Sequence, residues 1–130
     1  MIGLVENPAG DAILLGENAR RPGYFTCVAG YVDVGETAEE AFAREVLEET
    51  GRRIGAATYV GSQPWPASGS LMLAFTARTS DIEEHAGTDG ELRSIRWVRR
   101  DELGGLPLAK QGSIARSLID GWAGRTTNRG

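Results

Sequence analysis

The sequence predicts an α/β domain, a mixed sheet covered on its faces by two helices. Three observations lead there. The 130 residues suit one core and not two. Hydrophobic residues make up 41% and charged residues 25%, the balance of a globular chain rather than a disordered one. Short apolar runs bounded by Gly, Pro, Asn and Asp are interspersed with two stretches of helical periodicity, with no repeat or interdomain linker between them.

The elements follow in order. Residues 1–5 and 12–15 are apolar runs around Asn7-Pro8-Ala9-Gly10-Asp11, which reads as a hairpin. Residues 25–29 read as a strand and 31–36 as a glycine-bounded loop. Thr37 and Glu40 form a capping box, and Gly51 is a natural C′ residue, so a helix is predicted over about 38–50. Residues 58–60, 71–79 and 95–98 read as strands separated by polar loops. Residues 101–103 start a short helical turn before Gly104-Gly105. Residues 113–122 form a second helix, with Ile114, Leu118, Ile119 and Trp122 at helical spacing. The domain is placed at residues 1–124, with 125–130 as a flexible tail.

Composition narrows the function classes. No apolar run approaches the ~20 residues of a membrane span, and the first residues do not read as a signal peptide. Cys27 is the single cysteine, which excludes an intramolecular disulfide and a four-cysteine zinc site, and it reads as a buried apolar residue. A cytoplasmic domain without membrane contact is expected. The net charge of −4 is uneven: residues 1–90 hold 6 basic and 14 acidic side chains, residues 91–130 hold 8 and 4. That disfavours an extended nonspecific nucleic-acid groove. Seven acids fall between Asp33 and Glu49, a density suited to hard cations.

The first predicted helix carries most of this charge. With Ala38 as zero and about 100° per residue, Phe42, Ala43, Val46 and Leu47 fall between about 40° and 180°, a core stripe. Glu45, Glu48 and Glu49 share an arc from about 280° to 20° with only Ala38 and Ala41, and Arg44 borders it at about 240°. Carboxylates at these spacings repel by about 0.2–0.5 kcal/mol per pair. A bound divalent cation would reverse that sign, and Mg²⁺ takes carboxylate oxygens while bridging substrate phosphates. A solvated acidic face has the same pattern, so the helix alone leaves both readings open.

Wider spacing favours the cation. Gly30, five residues, Glu36, seven residues, then Arg44-Glu45-Val46-Leu47-Glu48-Glu49-Thr50-Gly51 resembles the Nudix box, Gly-x5-Glu-x7-Arg-Glu-(aliphatic)-x-Glu-Glu-x-Gly-(aliphatic). Every charged and glycine position matches; the final aliphatic position is Arg52, with Ile54 two residues on. The resemblance implies a Nudix α/β/α sandwich with a mixed sheet, and Mg²⁺- or Mn²⁺-dependent hydrolysis of a nucleoside diphosphate linked to another moiety. It implies Glu45 and Glu49 as metal ligands, and Glu48 as a further ligand or the group orienting the attacking water. Arg44 would pair with a box glutamate and Glu36 would hold the loop-to-helix geometry.

A second stretch points to a substrate. Ser62-Gln63-Pro64-Trp65-Pro66-Ala67-Ser68-Gly69-Ser70 resembles the NADH pyrophosphatase signature Ser-Gln-Pro-Trp-Pro-Phe-Pro-x-Ser, with Ala67 and Ser68 in place of Phe-Pro. Taken by itself it is a rigid proline-rich loop with Trp65 packed inward. Ala29-Gly30-Tyr31-Val32-Asp33 resembles that family's approach to the box, Glu91 its metal-binding glutamate outside the box, and Gly112-Ser113-Ile114-Ala115-Arg116 a stretch whose alanine lines the substrate pocket. By that resemblance Gln63, Pro64, Trp65, Pro66, Ala67, Ser68, Gly69, Ser70, Tyr31 and Ala115 meet substrate, and the Ala29 carbonyl and Glu91 join the metal ligands. Tyr31 could stack on a flat ring.

Members of that family carry an N-terminal region and a four-cysteine zinc ribbon, so the resemblance implies a short homologue or an excised catalytic part, with no zinc here. The expected reaction is hydrolysis of NAD(H)-like dinucleotides to NMN(H) and AMP. ADP-ribose, nucleoside triphosphates or NAD-capped RNA are the alternatives. The intact Glu45, Glu48 and Glu49 argue against a non-catalytic binding module, and a homodimer is implied. Elsewhere, Trp97 and Trp122 read as core, His85 as surface, and Arg20 and Arg21 as exposed loop arginines within reach of a phosphate.

Overall fold

Asn7 builds the first hairpin from its own side chain. Its Oδ1 accepts from the Asp11 and Ala12 amides at 3.0 and 3.2 Å, and its Nδ2 donates to Asp11 Oδ1 at 2.8 Å. The turn joins β1 (Ile2–Glu6) to β2 (Ala12–Asn18) in the computed structural model, which describes residues 1–125. Then come β3 (Arg21–Thr26), β4 (Val28–Ala29), α1 (Ala38–Thr50), β5 (Thr58–Trp65), β6 (Ser70–Arg78), β7 (Leu92–Arg99), a 3₁₀ helix (Arg100–Gly105) and α2 (Ile114–Ala123). All of the expected tail except Arg125 lies outside the described residues. No helix among the described residues is long and apolar enough to cross a membrane.

The strands form one mixed sheet in the order β3-β2-β1-β6-β5, with β4 also on β1 and β7 also on β2. Among the paired strands of the described residues, β1 and β6 alone run parallel, from Ile2↔Ala74 to Glu6↔Arg78. The run expected as one strand over 25–29 is two. It leaves β2 at Thr26 and joins β1 at Val28, changing neighbours at the buried Cys27.

Alternation along the strands makes the sandwich. Leu4, Ile13 and Ala74 face α2, packing with Ala115, Leu118, Ile119 and Trp122. Their sequence neighbours Val5, Leu14 and Phe75 face α1, packing with Ala41, Phe42 and Val46. Each fully buried side chain of this size contributes about 1.5–3 kcal/mol. The α/β/α arrangement is the expected one.

The capping box and Gly51 bound α1 as predicted, Gly51 with φ of 70°. The buried arc is turned from the expected stripe. Ala43 and Leu47 are exposed, whereas Ala41 is 0% and Glu49 3% exposed. The arc that includes Ala41, Phe42 and Val46 packs on the sheet with Val5, Leu14, Val28 and Phe75, and residues 85–89 are bonded to the end of the helix. The His85 and Ala86 amides donate to the Gly51 carbonyl and the Asp89 amide to that of Glu48. Trp122 is core, but Trp97 is half-buried, its Nε1 donating to the Ile82 carbonyl at 2.8 Å.

Candidate active site

The loop from Gly30 to Thr37 is fixed by one arginine. Arg44 donates through Nη2 to Glu36 Oε1 at 2.7 Å and to the Tyr31 carbonyl at 3.0 Å, and through Nε to Glu36 Oε2 at 3.1 Å. Its Nη1 reaches Glu45 at 3.3 Å and Glu48 at 3.2 Å. Glu36 also accepts from the Asp33 amide at 2.8 Å. The Arg44 hydrogen bond first, then that amide, hold the Glu36 carboxyl below its ordinary value. Loop and helix are thus one unit.

Glu45, Glu49 and Glu91 come together, with one carboxylate oxygen of each within 4.8 Å of the others. Glu45 and Glu49 lie one turn apart on α1, and Glu91 arrives from just before β7. Gly30 permits this approach, since a Cβ there would overlap the Glu45 carboxylate. Burial, then a hydrogen bond with Glu45 and the charges of Glu45, Glu91 and Asp89, pushes the Glu49 carboxyl up to about 9. Glu49 Oε2 is buried with no hydrogen-bond partner among the described residues. Three crowded carboxylates, one with an orphaned oxygen, are the hard-oxygen donor set that Mg²⁺ or Mn²⁺ takes, and they fit such an ion. The solvated-face reading does not survive a Glu49 that is 3% exposed.

Beside this cluster lies a cavity of about 930 Å³, at the upper end of small-molecule sites. Glu45, Asp89 and Glu91 line it, with Ala29, Gly30 and Tyr31 from the loop. Trp65, Ser68 and Ser70 line it from the β5–β6 hairpin, Arg20 from the β2–β3 turn and Arg21 from the start of β3. Tyr31 is 73% exposed, so it is not a core aromatic. Glu48 lies outside the trio and pairs with Arg44. His85 is on the surface.

The expectation of a proline-rich loop is corrected. Ser62 to Trp65 belong to β5, pairing with β6 from Ser62↔Leu73 to Trp65↔Ser70. Pro64 is tolerated because β5 ends the sheet path and needs no amide on its outer side. Trp65 is 39% exposed and faces the cavity rather than packing inward. Gln63, Pro64, Pro66, Ala67 and Gly69 do not line it. Gln63 instead closes the start of α2, accepting from the Ile114 amide at 2.8 Å and donating to the Gly112 carbonyl at 2.9 Å. Ala115 is 6% exposed in the α2 core, its carbonyl against Cys27 Sγ, and is no part of the cavity wall.

Sequence reasoning missed Asp89 in the cavity wall and the structural use of Arg52. Where the box pattern has an aliphatic residue, the Arg52 guanidinium lies over Trp97 at 5.7 Å and donates to the Thr50 and Ile82 carbonyls. Ile54 packs partly buried against the α1 core. An arginine in an otherwise aliphatic position was the available signal.

The family model described as NUDIX domain matches residues 1–120. The chain belongs to the Nudix family. Among curated relatives, this Nudix chain is 49% identical over 111 residues to the NAD-capped RNA hydrolase NudC of Klebsiella pneumoniae, covering 85% of the chain and 42% of the relative. It is 47% identical to NudC of Escherichia coli over the same shares. The chain therefore spans less than half the length of these relatives. A Nudix-family hydrolase from Clostridium perfringens superposes with a TM-score of 0.75 at 15% identity, over 94% of this chain and 93% of that one. The Nudix domain of Shewanella oneidensis NrtR, solved with ADP ribose, gives 0.71 at 16%, over 92% and 81%. At those identities the likeness is one of fold.

Proposed function

We propose that residues 1–124 are the catalytic domain of a hydrolase that splits the diphosphate of NAD(H)-like dinucleotides into NMN(H) and AMP. One P–O bond of the bridge breaks, and the oxygen of one water completes the second phosphate. The observation that carries this reading is the Glu45–Glu49–Glu91 cluster opening into a cavity that also holds Tyr31 and Trp65. The Ser62–Ser70 signature and the name of the 49% identical relatives support it. Glu45, Glu49, Glu91 and the Ala29 carbonyl would hold Mg²⁺ or Mn²⁺, which when bound neutralises diphosphate charge and lowers the pKa of bound water. Glu48, exposed beside Arg44 and outside the cavity wall, is the remaining box carboxylate and would orient the attacking water. Arg44 and Glu36 hold the loop in place. Tyr31 and Trp65 offer ring faces to a base or nicotinamide.

The test is a mass-spectrometric product panel over NADH, NAD, ADP-ribose and nucleoside triphosphates, run with Mg²⁺, with Mn²⁺ and with excess EDTA. NMN(H) and AMP should form with either metal and not with EDTA. Full turnover in EDTA, or products only from triphosphates, would overturn the assignment. NAD-capped RNA is the second reading, favoured by the relatives' name and by its sharing the same diphosphate. We further propose a cytoplasmic location and a homodimer; for the homodimer the support is that β5, at the end of the sheet, exposes Tyr59 and Val60. Stable interfaces bury at least ~1,200 Å² in total. Light scattering giving a monomer would remove that part.

A further inference from the structure

Arg20 and Arg21 are the basic side chains on a cavity wall whose other charges, Glu45, Asp89 and Glu91, are acidic. Neither forms an ion pair among the described residues, as Arg52, Arg93 and Arg100 do not, and neither guanidinium has a hydrogen-bond partner there, whereas those of Arg52 and Arg100 bond backbone carbonyls. The turn that carries them is well tied. Asn18 Oδ1 accepts from the Arg20 amide at 2.7 Å, and Glu17 Oε2 accepts from the Gly23 amide at 2.8 Å. Asn18 and Arg21 face each other across the β2–β3 ladder.

The same turn is bonded to the carboxylate cluster's own backbone. The Ala19 amide donates to the Glu91 carbonyl at 3.0 Å, and Asn18 pairs with Leu92 on β7. The backbone that carries the two arginines is therefore held beside that of Glu91. Cations among the carboxylates would occupy themselves with the scissile diphosphate, which leaves the arginines to attract a different anion. Planar guanidinium forks match phosphate oxygens. We propose that Arg20 and Arg21 bind a phosphate carried on the substrate's ribose, outside the scissile diphosphate. This rests on the hydrolase reading for what the carboxylate end does. Two sources share that chemistry: the monoester of a 2′-phosphorylated dinucleotide, and the first phosphodiester of a nucleotide chain.

Probes that carry no diphosphate keep binding apart from turnover. Dissociation constants are measured by calorimetry in Mg²⁺ for AMP, adenosine 2′,5′-bisphosphate and the dinucleotide pApA. The wild-type chain should bind at least one of the two longer probes ~10-fold or more tighter than AMP, and which one identifies the source. In Arg20→Ala/Arg21→Ala that ratio should fall to within about twofold of unity, with the salt slope for the preferred probe reduced by roughly one per arginine. Arg20→Lys/Arg21→Lys, which keeps charge and loses the fork, should keep part of the ratio. Equal binding of all three probes by the wild type, or a ratio that survives in the double alanine variant, overturns the proposal. Failure to cleave NADH with the ratio intact would overturn the hydrolase assignment alone.

Discussion

Arg44 grips Glu36 with two nitrogens, Nη2 at 2.7 Å and Nε at 3.1 Å, across eight residues of sequence. The same guanidinium touches the Tyr31 carbonyl, Glu45 and Glu48, so one side chain sets the distance between a cavity-lining loop and the carboxylates. Lysine can place its charge there but cannot reproduce the fork. Arg44→Lys should lower kcat/KM for NADH ~10-fold or more while far-UV circular dichroism stays unchanged. Because Glu36 acts through the same contact, Glu36→Gln should cost little more in the Arg44→Lys background. Fully additive losses would separate the two residues.

Glu49 sets a pH dependence whose sign can be worked out. Folded and metal-free, it keeps its proton up to about 9, against an ordinary value of 4.5. Between these values the folded state binds more protons than the unfolded chain, so this group's contribution to stability declines as pH rises across the window. Urea unfolding in EDTA from pH 5 to 9 should show that decline, Glu49→Gln should flatten it, and Mg²⁺ should relieve it. The same variant should lose at least ~10²-fold in kcat, on the scale of a key electrostatic contact. A wild-type profile identical to that of Glu49→Gln would contradict the burial argument.

Arg52 ties residues 81–91 to the end of α1. Arg52→Leu restores the aliphatic residue of the box pattern but removes the donors to the Thr50 and Ile82 carbonyls. Hydrogen bonds from a charged donor are worth about 1.5–3 kcal/mol, so a loss of about 2 kcal/mol is expected by chemical denaturation. Hydrogen exchange at the His85 and Ala86 amides, which donate to the Gly51 carbonyl, should quicken. Unchanged stability and exchange would leave the cation over Trp97 without structural consequence.

Tyr31 is 73% exposed on the cavity wall, with nothing in the core to lose. Tyr31→Ala should raise KM for dinucleotides more than for small phosphate esters, because only the former offer a ring to stack. Equal changes for both substrates would mean that the phenol ring has no part in recognition.

Local signals were legible in the sequence. Thr37, Glu40 and Gly51 bound α1 because capping is satisfied within a few residues and needs no partner elsewhere. Asn7 to Asp11 closes its hairpin by hydrogen bonds within five residues. Residues 1–5 and 12–15 read as apolar runs, and in the structure Leu4 and Ile13 face one side of the sheet and Val5 and Leu14 the other. The carboxylates of α1 and their spacing from Gly30 were likewise sequence properties.

Tertiary structure decided what depends on contacts distant in the chain. Which arc of α1 is buried could not come from its own periodicity, because the sheet residues Val5, Leu14, Val28 and Phe75 choose the side they pack against, and Glu49 ends 3% exposed. The split at Cys27 arises because Thr26 and Val28 pair with different strands, a choice made by β2 and β1. Gln63 lies at the start of α2 and not on the cavity wall, because the Ile114 amide, 51 residues on, takes its side chain as acceptor. Glu91 reached Glu45 and Glu49 only when β7 paired with β2 and drew its leading residue alongside them. A sequence specifies which groups can ligate a cation, but only chain closure brings their oxygens within reach of one another.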